Sequence, residues 1–459
     1  MSRASRSRRR LRRDEVTGAT QWCVALGAAL VAGLAFAARG HAEAPCGPFE
    51  PLASGPAAAP VVLAGVDTGL APAQAGGAIT TLPAPSAQDL APPRGEALLA
   101  LPKDASGAIP RDVGLAPGAR IAASYWSPVL CATVARVVGP PDLEPAALVP
   151  GLPATAAVVP NSVYATAQAV LEPAPPPPAS GPDPYRPLQY ALDQLGVDRA
   201  RGVSNGAGVR VAMLDSAPAA HRDLPPIELV AVEGAVAGRG AHGTLIAGVV
   251  SAIPHNAFGI EGVAPGVSLL AVPVCTPEGD SASDRCLLYD MLRGVDAAYA
   301  AAARVLNLSL VGPANPLLER SMARLDALGV LVVAAAGNEG TDEPRYPAAY
   351  ASVIGVGASD RERRVYARSN RGLSAEIFAP GVEILSSVPG DSFAFGSGTS
   401  FAAAYVSGAL GVLLGAGAEP VAARAALFRQ SAAASEGQPV TSMAPLCDVL
   451  ARLGRACPP

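Results

Sequence analysis

The sequence predicts an α/β fold, a mostly parallel sheet flanked by helices, with a smaller α/β unit in front of it. Three observations lead there. Near-continuous apolar runs occur at Val209 to Leu214, Leu269 to Val274, Val305 to Leu310 and Val330 to Ala335, a pattern that suits strands buried on both faces. Between them, His242 to Ile253, Asp284 to Ala303 and Leu317 to Leu328 have helical length and spacing. Strand and helix alternate, the order that builds a parallel sheet through crossover connections. Chemistry in such sheets belongs at the carboxyl ends of the strands, which directs attention to residues just past the apolar runs.

At the N-terminus, residues 3 to 13 carry seven arginines, and the apolar run Trp22 to Ala38 ends near the small residues before Pro45. This reads as a secretory signal peptide over residues 1–42, with cleavage after Ala42 or Ala44. A retained membrane anchor is the other reading of the same run, which is slightly short for a comfortable span. Eight arginines against Asp14 and Glu15 put +6 in residues 1–42, so a formal charge of −4 for the whole chain leaves −10 for the exported part. No basic patch survives, which argues against a nucleic-acid partner, and a cleaved signal leaves no stable membrane association. Of seven cysteines, Cys23 falls in the apolar run, leaving six for an oxidising compartment. Cys275 with Cys286 and Cys447 with Cys457 are local candidates, leaving Cys46 with Cys131; free thiols are the alternative.

Prolines and glycines crowd the first 185 positions, and residues 43–118 are expected to be an irregular Ala/Pro/Gly-rich region. The pattern changes at Ile121. Val129 to Val138 and Ala154 to Val159 read as strands around a short helix at Leu143 to Leu148, a small α/β unit over residues 119–171. Residues 172–184, with Pro173, Pro175 to Pro178, Pro182 and Pro184, read as an extended linker. The domain beyond it runs from 185 to 459.

The stretch Phe395 to Gly408 carries the candidate chemistry. Gly396 and Gly398 permit a tight approach of backbone, Thr399 is placed to cap the apolar helix that follows, and Ser400 falls in its first turn. Free amides and the positive dipole end there suit negative charge developing on a carbonyl oxygen.

Read beside three other segments, this stretch resembles the subtilisin-like serine peptidase family. Val209 to Ser216 is similar to that family's aspartate strand, with His221-Arg222-Asp223-Leu224 matching the element downstream. Gly240 to Gly248 is similar to its histidine motif, and Ala334 to Gly340 to the segment that supplies an oxyanion-hole asparagine. The order Asp, His, Asn, Ser separates this pattern from chymotrypsin-like and α/β-hydrolase enzymes. The resemblance covers roughly residues 184 to 430. It implies a subtilisin-like fold with an N-terminal α/β prosegment, and a secreted or periplasmic serine endopeptidase acting on protein or peptide substrates. Ser400 would be the nucleophile, His242 its base, Asp215 the group that orients His242, and Asn338 an oxyanion donor. Ser309-Leu310-Val311-Gly312 resembles the strand that pairs with substrate backbone, and Ala336 and Gly337 belong to the facing segment. Arg345, in Glu343-Pro344-Arg345-Tyr346-Pro347, resembles a residue bordering the base of the primary specificity pocket. There it would either favour an acidic substrate residue or lay its stem on the wall with its charge in water. Val158 to Tyr164 is similar to the end of inhibitory prodomains, whose last strand occupies the cleft. Self-processing is therefore expected between about Tyr164 and Tyr185.

Two departures from the family are visible: Ala404-Tyr405 stands where Pro-His is usual, and Ala217 where glycine is usual. A catalytically silent peptide-binding relative and an envelope-anchored structural protein stay open. No C-x-x-C or H-E-x-x-H spacing calls for a metal, and no cofactor is required; structural calcium, frequent in relatives, has no readable ligand spacing here.

Overall fold

Seven strands in parallel register organise the molecule. In a computed structural model, the chain is described at residues 46, 90–102, 109, 113–152, 156–166, 170–178, 180–232, 240–277, 284–428, 432–435 and 438–458. The expected signal peptide and most of the stretch before residue 90 lie outside the described residues.

Among the described residues, the strands in chain order are β1 (Glu96–Pro102), β2 (Arg120–Ser127), β3 (Ala132–Val138), β4 (Ala157–Pro160), β5 (Val163–Thr166), β6 (Val170–Pro173), β7 (Arg210–Asp215), β8 (Glu228–Leu229), β9 (Ser268–Pro273), β10 (Cys275–Pro277), β11 (Asp284–Leu287), β12 (Val305–Leu308), β13 (Leu310–Val311), β14 (Leu331–Ala335), β15 (Val353–Ser359), β16 (Ile377–Pro380), β17 (Ile384–Val388), β18 (Ser392–Ser397), β19 (Ala432–Ser435) and β20 (Gln438–Thr441). The main sheet has the order β16-β15-β14-β12-β7-β9-β8. The four apolar runs of the sequence are β7, β9, β12 and β14, buried on both faces as their composition requires. Helices Ala241–Ser251, Leu288–Ala300 and Pro316–Ala327 cross between strands. The helix Thr399–Gly415 is buried from Thr399 to Leu414, which is why its sequence is apolar on every side. Among the described residues no helix is long and apolar enough to cross a membrane.

In front of this sheet, β2-β3-β1-β4 form an antiparallel sheet. Here the structure differs from the sequence reading, because β1 is an inner strand of that sheet yet lies inside the stretch expected to be irregular. Its residues alternate. Ala97, Leu99 and Leu101 cover Leu148 and Val149, whereas Leu98 and Ala100 join the core that includes Leu288, Leu292 and Leu308. An apolar face that needs a second body to cover it leaves only a short, ambiguous signal in the sequence.

That docking is polar as well as apolar. The helix Leu288–Ala300 begins with two amides satisfied from across the interface: Leu288 N–H donates to the Ser162 carbonyl (2.9 Å) and Tyr289 N–H to Asn161 Oδ1 (3.0 Å). Further along, Asp296 accepts from Ser127 Oγ and Val129 N, both at 3.0 Å. Burial pushes the Asp296 carboxyl up to about 7. Three disulfides join Cys46 to Cys131, Cys275 to Cys286 and Cys447 to Cys457.

Candidate active site

Asp215 ends β7, and the chain turns there because Ser216 N–H donates back to Asp215 Oδ1 at 2.8 Å. His242 is the second residue of the helix Ala241–Ser251, and its Nδ1 lies 2.9 Å from both oxygens of the buried Asp215. The carboxylate accepts the Nδ1 proton, which leaves Nε2 as the basic nitrogen. That nitrogen lies 3.1 Å from Ser400 Oγ, in the first turn of the helix Thr399–Gly415. Three groups separated by 27 and 158 residues thus meet at the carboxyl end of the sheet, in the relay a hydroxyl nucleophile needs.

Asn338 stands just past β14. Its Oδ1 accepts the Thr399 amide at 2.9 Å, fixing which end of the side-chain amide is oxygen. Reciprocally, the Thr399 hydroxyl accepts the Gly337 amide at 3.0 Å. The sequence reading has Thr399 capping its helix; instead Gly398 is the capping residue, and the Thr399 hydroxyl ties the helix to the asparagine turn. Gly337 has φ +104, a conformation that residues with a Cβ resist. Asn370, invisible to motif reasoning, holds the same turn: Oδ1 accepts from Glu339 N and Thr341 N at 3.1 Å, and Nδ2 donates to the Ala336 carbonyl at 3.0 Å. Asn307 and Ser407 were missed for the same reason. Ser407 Oγ donates to Asn307 Oδ1, Asn307 Nδ2 to Ser309 Oγ, and Ser309 Oγ to the Ser400 carbonyl, a buried chain from the sheet to the helix. No local spacing announces residues that meet only through packing.

A strand of this chain lies in the groove beside the three groups. β5 is inserted between β11 and β13, antiparallel to both, with Thr166 opposite Leu310 and Ala165 opposite Val311. Tyr164 is fully buried; its hydroxyl donates to the Pro313 carbonyl at 2.9 Å, and its ring packs on Gly312, where a Cβ would come within 2.3 Å. Past 167–169, which lie outside the described residues, β6 pairs with β18, placing Val170 opposite Ser397, three residues before Ser400. The linker expectation is corrected at its start: Glu172 and Pro173 belong to this strand, because β18 offers them an open edge.

The remaining expectations fall as follows. Arg345 is buried, with Nη1 3.3 Å from Glu343 Oε2 and Nε 3.8 Å from Glu339 Oε1. Its charge is neither in water nor unpaired. Ala217 is not among the residues with left-handed backbone, so that turn is built without the usual glycine geometry. Tyr405 is buried in the core, and its helix runs unbroken from Thr399 to Gly415. Asp223, in the His221 element, accepts from Asn256 Nδ2 and Ile260 N at 2.8 Å, and burial pushes it up to about 7. Asp183, His255 and Glu261 are spaced to hold a cation; Arg201 pairs with Glu261, and the His255 amide and Nδ1 both lie within hydrogen-bond reach of Asp183.

The subtilase family matches residues 205–441. Subtilisin BL of Lederbergia lenta is 37% identical over 213 residues, 46% of this chain and 77% of that protein. Subtilisin DY of Bacillus licheniformis is 34% identical over 237 residues, 50% of this chain and 84% of the relative. Thermitase of Thermoactinomyces vulgaris is 32% identical over 253 residues, 53% of this chain and 89% of its own length. Among solved structures, that of the prenylagaramide maturation protease PagA superposes with a TM-score of 0.51 at 26% identity, over 57% of this chain and 99% of the other.

Proposed function

The chain belongs to the subtilase family, whose members matched here are subtilisin-like serine peptidases, and from that premise we propose that it is an exported endopeptidase made as a self-processed precursor. Ser400 attacks the peptide carbonyl as His242 takes its proton, and Asp215 stabilises the imidazolium. Asn338 and the Ser400 amide receive the oxyanion. Collapse of the tetrahedral species returns the proton from His242 to the leaving amine, and water then releases the acyl group by the same path. The observation that carries this reading is His242 bonded to Asp215 at 2.9 Å on one side and to Ser400 Oγ at 3.1 Å on the other.

Leu310 and Gly312, with Ser309 behind them and Ala336 and Gly337 across the groove, bind the substrate as an added strand. What supports this is the register of β5, which occupies that place. The prosegment, expected over 119–171, extends backward to include β1 and ends at the self-cleaved bond before Val170, and the catalytic domain is taken from 185. That β5 ends at Thr166 opposite Leu310 and β6 begins at Val170 opposite Ser397 supports a self-cleaved bond between Thr166 and Val170. Glu339 and Glu343 compensate Arg345, so an acidic preference in the primary pocket is weak. Export is supported by the arginine-rich, apolar N-terminus and by disulfides that an oxidising compartment preserves.

Purified Ser400→Ala protein should accumulate as uncut precursor, whereas wild type is cut between Thr166 and Val170 by N-terminal sequencing. A fluorophosphonate should label Ser400 in wild type and not in His242→Ala. Normal processing of the pure Ser400→Ala chain rules out self-cleavage, and absent labelling leaves a silent peptide binder.

A further inference from the structure

Asp284 is a carboxylate that the reaction scheme above does not use, and it stands at the edge of the reacting groups. It opens β11, and its amide donates to Thr166 Oγ1 at 3.0 Å, so it borders the strand lying in the groove. Its carboxyl stands beside the Ser216 hydroxyl, the two flanking the same point at Gly240. Ser216 in turn grips Asp215 Oδ1, through its amide at 2.8 Å and its hydroxyl at 3.3 Å. Gly243 N–H also points at the Ser216 hydroxyl, at 3.3 Å. A serine hydroxyl carries one hydrogen, so it serves one carboxylate at a time. The shortfall is visible: Asp284 Oδ2 is buried without a hydrogen-bond partner. Gly240, two residues before His242, is what lets the group close, because a Cβ there would stand 2.1 Å from Ser216 Oγ and 2.8 Å from Asp284 Oδ2.

We propose that Asp284 is a positioning residue for the reaction: a second carboxylate that acts through the Ser216 hydroxyl on Asp215 and adds negative charge facing the His242 imidazolium. An unpaired buried oxygen is costly to stability, and a cation formed only during the reaction is what it would favour. Among the described residues, the titratable groups facing Asp284 are Asp215 from β7 and His242 from its helix. Burial and the Asp215 charge raise the Asp284 carboxyl from its ordinary range. From β5 it meets Thr166 and from β10 Pro277, neither titratable. Arg285, next on β11, acts on Glu96. Glu278 and Asp280 lie outside the described residues.

The proposal rests on the peptidase reading, and its test is built to fail separately. The chain has four histidines, few enough to follow each imidazole by NMR in full-length Ser400→Ala protein. Asp284→Asn should lower the His242 midpoint by about half a pH unit or more, and Asp284→Glu should restore most of it. In protein with an intact Ser400, Asp284→Asn should move the acidic limb of kcat/KM down by a similar amount, with kcat reduced severalfold and KM little changed. Asp284→Ser gives a second removal of the charge if the asparagine variant fails to fold. An unshifted His242 midpoint in either folded variant overturns the proposal. A shifted midpoint in a chain that cleaves no peptide retires the peptidase reading and keeps the Asp284–His242 coupling.

Discussion

Thr399 and Gly337 are joined by a hydrogen bond of 3.0 Å in which the threonine hydroxyl, one residue before Ser400, accepts the amide of the residue before Asn338. The return bond, from the Thr399 amide to Asn338 Oδ1, makes the helix start and the turn move as one piece. Thr399→Val keeps the shape and strands a buried N–H, a loss of about 1 to 3 kcal/mol. If that coupling serves the oxyanion, kcat should fall about tenfold while KM stays near wild type. Steady-state kinetics on a folded variant decide, and an unchanged kcat means the bond is only structural.

Tyr164 anchors β5. Truncating a buried aromatic costs about 3 to 5 kcal/mol in well-packed cores. In a Ser400→Ala background, Tyr164→Ala should lower the denaturation midpoint and expose residues 90–166 to added trypsin. Gly312→Ala should do the same from the other side, since its Cβ would collide with the Tyr164 ring. Equal resistance of all three proteins to trypsin would mean that this contact does not hold the strand.

Asp296 is expected to make docking of the β2-β3-β1-β4 sheet sensitive to pH. Its carboxyl is pushed up to about 7 in the folded chain against 3.8 ordinarily, so the folded form holds a proton that the unfolded form has lost. The stabilisation is complete below about pH 4 and is lost as pH rises to about 7, on the order of 2 kcal/mol between pH 5 and 8. Urea denaturation of Ser400→Ala protein at those two pH values should show the loss, and Asp296→Asn should remove that part of it. Identical pH slopes in both proteins refute the assignment.

The Cys275–Cys286 bridge closes the hairpin of β10 and β11, the edge on which β5 lies. Replacing both cysteines by alanine should cost about 3 kcal/mol in the chain-entropy model. Extended peptides that pair with β11 should then be cleaved less efficiently relative to short ones, a ratio read from kcat/KM across peptide lengths. An unchanged ratio would mean that the β11 edge stays ordered without the bridge.

What the sequence determined by itself was the sheet and which polar side chains to look for at its carboxyl end. Runs such as Val330 to Ala335 allow little but a strand buried on both faces, and the glycines beside His242 and Ser400 mark positions where backbones must come close. The tertiary structure decided everything that depends on a partner distant in the chain. Residues 284–287 have helical company in sequence, yet they form β11 because a disulfide and the β5 strand hold them extended. β1 is a strand only because the catalytic core covers one of its faces. Arg345 is paired with Glu339 and Glu343, and Asp284 and Ser216 can both crowd Gly240 because that residue has no side chain. Periodicity and motif spacing record forces acting within a few residues. The positions that tune this site answer to hydrogen bonds and charges between segments tens to hundreds of residues apart, which no local pattern encodes.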